Sequence, residues 1–548
     1  MGVFDLKRLL GASLALAILA SGCTKVSQTG EAGGRVNSFT QPHVLRIGAI
    51  GDVNTLNPHL GQFSTIGWVS SMTMAYLIKW DAHNTAYPEL ATEVPTQQNG
   101  GVSKDGLTIT YHLRKGVKWS DGASFDADDV VFSTKAVLNP ANNEVGRLGW
   151  DQITKIDEPD KYTVIYHLKK PYSPFIETFF STAGANPCVI PKHILGSLPN
   201  INNAPYNAKP IGIGPFKYER WDRNAQIVLL PNPLYFRGAP KIQRIVLKLI
   251  PDRNTLLSQL EAKEVDMWPI ASGNYYDRLK QVDGYSVIRR PSYFFDHLDM
   301  NTTHSGLNDP VVRQALRLAW DRNERLQKIA HGIGTLSDSV TPIGAPYEVK
   351  VAQIPYDPAQ ANKLLDQAGW VRGADGIRAK NGVKLSFSYA AIAGLPDVDN
   401  GLELLRANWK QIGVDITIQH YATALFFAPL QSGGIVYGNK WDMTGFSWQN
   451  EAIGDYSPIY GCHSFPPNGQ NVPRWCNEQA QAAMDALFAH YEQALRNKDV
   501  QTVAKAIYDD VPIIVQDQRE DLFAVNKDLK NFVPNSVAPF DNMMNVDI

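Results

Sequence analysis

The sequence predicts an α/β protein of two or three domains around a mostly parallel sheet, and three observations carry that reading. The chain has 548 residues, too many for one ordinary hydrophobic core. Residues 107–132 read as strand, turn and helix in succession. Residues 245–267 repeat the rhythm as strand, helix and strand start, the βαβ arrangement that sets strands parallel.

Each element has a local reason. His43 to Gly51 is a short apolar strand, and Met72 to Trp80 is apolar enough for a buried helix end. Leu107, Ile109, Tyr111 and Leu113 alternate with Thr108, Thr110, His112 and Arg114, the period of a half-buried strand. Lys115-Gly116 breaks the run, and Trp119-Ser120-Asp121-Gly122 reads as a turn. Asp126 then caps a helix, with Asp128 and Asp129 at the positive end of its dipole. Tyr162 to Leu168 alternates again. Residues 199–214, rich in Asn, Pro and Gly, make the best domain boundary. Gly212-Ile213-Gly214-Pro215 lacks the third glycine of a dinucleotide loop, and strand-like sequence follows it, so it reads as a turn. Ile245 to Ile250 is a strand and Asn254 to Ala262 a helix. Further helices start at Asp309-Pro310 and Asp357-Pro358, each with a cap and a proline in the first turn. Leu402 to Ile412 and Asp415 to Ile418 form a helix–strand pair, and Val511 to Ile548 alternates strand-like runs with turns.

Composition excludes several classes. Hydrophobic residues make up 44% and charged residues 19%, with a net charge of -2 and no basic run, which argues against a nucleic-acid partner. Nothing after residue 22 approaches an 18-residue apolar stretch. At the N-terminus, Lys7 and Arg8 precede an apolar run from Leu9 to Ala20, and Ala20-Ser21-Gly22-Cys23 follows as a small-residue cleavage site. That order resembles a bacterial lipobox, which implies that Cys23 is acylated and anchors the protein to a membrane. Residues 24–42 read as a flexible tether. Outside the cytoplasm, Cys462 and Cys476 are expected to form a disulfide across a Pro- and Gly-rich loop, stabilising by roughly 3 kcal/mol. A metal is the rival, but the pair and His463 fall short of four ligands. Cys188 is expected to be a buried free thiol.

Catalytic signatures are missing: no HExxH, no phosphate loop, no GxSxG elbow and no His/Cys cluster. The 12 histidines are scattered, and Asp128-Asp129 and Asp509-Asp510 sit at helix ends. The sequence therefore predicts a binding protein with no cofactor and no metal, not an enzyme.

The string LRKGVKWSDG followed by Asp126-Ala127-Asp128-Asp129-Val130 resembles the signature of the family 5 extracellular solute-binding proteins, the peptide and nickel receptors of bacterial ABC importers. Leu56-Asn57-Pro58-His59, Tyr87-Pro88-Glu89-Leu90-Ala91, Ile190-Pro191-Lys192-His193 and Val312-Arg313-Gln314-Ala315-Leu316 extend the resemblance. It implies a type II periplasmic-binding fold of two hinged lobes plus an extra domain. The expected division is 1–22 signal peptide, 23–42 lipidated cysteine and tether, 43–60 first part of lobe 1, 61–206 extra domain, 207–290 second part of lobe 1, 291–518 lobe 2, and 519–548 return to lobe 1.

The resemblance also implies a ligand. A short peptide needs a carboxylate for its ammonium, because a buried unpaired charge is costly. Peptide-binding members place an Asp three residues after a Gly-Trp; the residue three after Trp448 is Glu451, one methylene longer. Asp455 is the second candidate. Trp448 either walls the ligand or packs in the core, and Ser64 and Thr65 are candidate polar contacts from lobe 1. The implied partners are a short peptide, the transmembrane subunits of an ABC permease and, through the lipid, a membrane of the cell envelope, with the receptor a monomer. An oligosaccharide, an opine or a chelated nickel ion remain alternative ligands, and a ligand-presenting sensory or chaperone-like module an alternative role.

Overall fold

The computed structural model describes residues 37–61, 63–182 and 187–548. The expected signal peptide and Cys23 lie outside the described residues. Lobe 1 opens with strand β1 (Val44–Ile50), and β2 (Ile78–Trp80) pairs with β3 (Ala86–Pro88) in a two-stranded sheet of their own, whose Ile78 joins the core of the extra unit. The extra unit carries β4 (Thr108–His112), β5 (Ile153–Asp160) and β6 (Thr163–Leu168). The chain then returns to lobe 1 with β7 (Phe216–Asp222), β8 (Gln226–Pro231), β9 (Arg244–Ile250) and β10 (Met267–Ala271). Strand β11 (Tyr285–Met300) leads into lobe 2, which holds β12 (Val371–Arg372), β13 (Arg378–Lys380), β14 (Val383–Lys384), β15 (Ser386–Ile392), β16 (Asp415–Tyr421) and β17 (Met443–Gln449). Strand β18 (Ile513–Asn526) leads back.

Ten of these strands form one sheet in the order β16-β15-β17-β11-β18-β10-β1-β9-β8-β7. The expectation of a mostly parallel sheet needs correction, because the sheet is mixed. Strand β1 runs parallel to β9 and β10, and β15 runs parallel to β16 and β17. Between these parallel centres lie β11 and β18, antiparallel to each other from Tyr285 opposite Asn526 to Asp299 opposite Ile513. Two antiparallel crossings let the chain leave lobe 1 and return to it. The β11–β18 ladder slips between Pro291 and Phe295 and again between Asp296 and His297. Proline has no N–H to give a ladder, and such slips bend a strand.

The parallel centre of lobe 1 is built by close approach. A Cβ on Gly48 of β1 would stand 2.2 Å from the Leu256 side-chain tip on the helix Arg253–Glu261, so glycine lets Leu256 pack flat on the sheet without shifting. The helix Ser64–Thr73 also packs into the lobe 1 core, through Ile66, Val69 and Met72. So do Cys188, Ile190, Leu195 and Ile201, although the sequence division groups these segments with the extra unit. The extra unit keeps its own core around Trp119, Trp150, Tyr111, Tyr166 and Phe179. Its helix Ala127–Leu138 begins at a capping box, in which Asp126 accepts from the Asp128 N–H at 3.1 Å and Asp129 accepts from the Asp126 N–H. Asp129 also accepts from the Trp119 indole and the Lys192 N–H, which ties the helix start to two loops.

Gly212 and Gly214 do not form the expected turn but allow a close backbone approach: a Cβ on Gly212 would collide with the backbone of Thr73, and one on Gly214 with that of Met72 and Thr73. Cys462 and Cys476 are joined by a disulfide, and Cys188 is a buried free thiol. Among the described residues no helix is long and apolar enough to cross a membrane.

The capping box gives a direct test. Asp126→Ala removes the cap and is expected to lower stability by about 1 kcal/mol, read as an earlier urea midpoint. An unchanged midpoint would show that the extra unit does not depend on this helix start.

Candidate functional site

A cavity of about 800 Å³ lies where the two lobes face each other. Lobe 1 supplies Arg253 at the helix start, Ile270 and Ala271 at the end of β10, and Ser272 to Asn274 after it. Lobe 2 supplies Tyr389 and Ile392 from β15, one face of the helix Pro396–Lys410, and Gly445 to Ser447 from β17. The crossing strands form the remaining wall with Asp296 on β11 and Gln516, Asp517 and Arg519 to Asp521 on β18. The lobes and the hinge strands thus meet at one volume, of a size typical for small-molecule sites.

The wall is charged. Five carboxylates (Asp296, Asp397, Asp517, Glu520 and Asp521) face three guanidinium groups (Arg253, Arg325 and Arg519). Arg325, from the helix Arg322–Lys328, reaches between the crossing strands, pairing with Asp517 and lying 3.4 Å from Asp296. Ser447 donates its hydroxyl proton to Asp296. Burial pushes Asp517 up to about 6, against the pull of Arg325. Burial likewise pushes Asp521 up to about 6, against Arg519. Arg253 and Arg519 have no ion-pair partner among the described residues, and Arg519 lies over the Phe294 ring at 5.5 Å. The wall therefore offers carboxylates that lack a full counter-charge and guanidinium groups that lack a carboxylate.

The five residues singled out from the sequence lie elsewhere; none of them lines this cavity. Glu451 and Asp455 come together in the loop after β17, where Asp455 accepts from the Ser457 N–H at 2.9 Å. Glu177 of the extra unit joins them, accepting from the Ile453 N–H. Burial raises all three carboxyls, and for Glu177 the charges of Glu451 and Asp455 raise it further. Glu451 itself is exposed to solvent. Trp448 is half-buried, its ring 5.2 Å from Phe446, which does line the cavity. Ser64 is exposed and Thr65 buried at the start of the helix Ser64–Thr73.

Asp296, Arg325, Asp517, Arg519 and Asp521 belong to none of the sequence motifs. One signal was available: β18 reads IIVQDQREDLFAVN, an apolar strand interrupted by six consecutive polar residues. A charged break inside an otherwise buried strand marks a place where the strand faces something other than core.

Two lobes joined by paired crossing strands around a charged cavity define a ligand-clasping receptor. Residues 85–468 match the family described as Bacterial extracellular solute-binding proteins, family 5 Middle, and the chain belongs to that family of transport receptors. It is 26% identical over 419 residues to the oligopeptide-binding protein AppA of Bacillus subtilis (strain 168), covering 75% of each chain. It is 24% identical over 464 residues to the dipeptide-binding protein of Escherichia coli (strain K12), covering 81% of this chain and 84% of that one. The fold superposes on the AppA structure in complex with a nonapeptide with a TM-score of 0.70, at 22% identity over 92% of this chain and 99% of that one. It superposes on NikZ from Campylobacter jejuni in complex with Ni(L-His) with a TM-score of 0.71, at 22% identity over 93% and 100%.

The raised carboxyls predict a pH signature. A carboxyl raised in the folded state favours folding below its unfolded value near 4, and that advantage is lost as pH rises through about 6. Asp521→Asn is therefore expected to raise the melting temperature of the unliganded protein at pH 7 and to leave it unraised at pH 4. An equal change at both pH values would contradict a desolvated carboxyl at this position.

Proposed function

We propose that this protein captures short peptides outside the cytoplasmic membrane and delivers them to the permease of an ABC importer, held to the membrane through a lipid on Cys23. One observation carries the peptide reading: under-compensated carboxylates and unpaired guanidinium groups line the same inter-lobe cavity. A zwitterionic peptide supplies both counter-charges. Its ammonium meets Asp296 with Asp517 beside it, further along the same wall as Asp521, and its carboxylate meets Arg519 or Arg253. Closing the lobes by bending β11 and β18 expels water, which strengthens each of these contacts. Water left around the side chains lets one receptor accept varied sequences. The names of AppA and of the dipeptide-binding protein point to the same ligand class.

A second place for the ammonium has a specific observation behind it. Glu451 is reachable from solvent and stands beside Asp455 and Glu177, three carboxylates that a cation would relieve. The chelated-nickel alternative draws on the likeness to NikZ, which shows a shared fold.

Single substitutions separate these readings. Asp296→Asn removes one charged hydrogen bond, worth about 1.5–3 kcal/mol, so peptide affinity by calorimetry is expected to fall roughly ten- to hundredfold. Glu451→Gln is expected to leave affinity within about threefold. The opposite pattern would move the anchor to the loop after β17, and stabilisation by nickel chelates but not by peptides would replace the ligand class.

The ligand cation also lowers the carboxyls it meets. Wild-type affinity is therefore expected to weaken as pH falls from 7 to 5, where Asp517 and Asp521 take up protons. A flat profile would remove these two carboxyls from the site.

A further inference from the structure

We infer that Ile270 of lobe 1 and an apolar patch of lobe 2, Leu395, Val398 and Phe427, form the two jaws of a clamp for one bulky apolar side chain of the ligand. This rests on the inter-lobe cavity being the peptide site.

Exposure is the first observation. Ile270, Leu395, Val398 and Phe427 are 39%, 43%, 37% and 39% exposed, and all four line the cavity. Their exposed apolar surface is gathered from both lobes onto one concave volume. Contiguous apolar surface in a cleft marks a place that something apolar covers. Leu402, on the same helix face as Val398, and Phe446 on β17 extend the lobe 2 jaw inward.

Backbone conformation is the second. Ile270 has a φ of +51°, in the left-handed region that a β-branched side chain enters only at a cost. The ladder between β10 and β18 slips between Trp268 and Ala271, the bulge that turns Ile270 outward while Met267, Trp268 and Ala271 stay buried. Folding gains less from isoleucine here than in a core, since 39% of it is exposed, and asparagine or glycine would hold the backbone with less strain. A strained, exposed, branched apolar residue aimed at a ligand cavity has its use in the liganded state. The charged wall on β11 and β18 fixes the ligand's ends, and the clamp selects what lies between them.

The test compares wild-type protein, Ile270→Asn and Val398→Asn against Ala-Phe-Ala and Ala-Ala-Ala by calorimetry, with melting temperatures recorded for each. Ile270→Asn is expected to melt no lower than wild type and to bind Ala-Phe-Ala roughly tenfold more weakly. Its affinity for Ala-Ala-Ala is expected to stay within about twofold. Val398→Asn, on an unstrained helix, is expected to show the same selective loss and decides the matter should Ile270→Asn melt early. Equal losses for both peptides, or no loss for either, would overturn the clamp. Should wild-type protein bind neither peptide, the peptide reading fails, and the neutral apolar fluorophore N-phenyl-1-naphthylamine reads the clamp alone. Emission enhanced by wild-type protein and lost in both variants keeps the clamp; emission that does not differ among the three overturns it.

Discussion

Arg325 is the contact on which the site depends. It enters from a lobe 2 helix and joins Asp517 on β18 to Asp296 on β11, the two strands that pass between the lobes. A guanidinium suits this position because it stays charged and presents several donors in a fixed plane. Without it, two carboxylates would face each other in a poorly solvated wall. With it, the strands are tied beside their own register slips, where a bend costs least. The same ion cluster thus holds the crossing together and leaves one side of Asp296 turned to the cavity.

The mixed sheet follows from the same constraint. A lobe built from βαβ units is parallel at its centre, as β1 is with β9 and β10 and β15 is with β16 and β17. Two such lobes in one chain need an outward and a return strand, and these run antiparallel. Strand β18 is apolar at both ends, where it enters a lobe core, and polar between them, and β11 sets Asp296 opposite that polar stretch. Burying that polar stretch whole would be costly, and part of it, with Asp296, borders the inter-lobe cavity. Ile270 and Phe427 add solvent-facing apolar surface to the same cavity wall.

Much of the fold was legible because it rests on local chemistry. Asp126, Asp309 and Asp357 cap helices where capping rules put them, and the alternation from Thr108 to His112 is a strand. The sheet direction was not legible, since antiparallel crossing is a long-range fact: Tyr285 pairs with Asn526 across the whole of lobe 2. The site was legible as a class and not as residues. Counting from Trp448 gave Glu451, whereas the cavity takes its charges from positions as distant in sequence as Asp296, Arg325 and Asp517. Sequence spacing cannot bring these together; strand pairing does. The left-handed backbone at Ile270 left no trace in sequence at all, because β-branched residues do not advertise such a conformation.

The most direct measurement is a crystal structure of the protein with a bound tripeptide. Closed lobes are expected, with the peptide ammonium within hydrogen-bonding distance of Asp296 and the peptide carboxylate against Arg519 or Arg253. A peptide held instead by Glu451 and Asp455, with the volume beside Asp296 filled only by water, would contradict it.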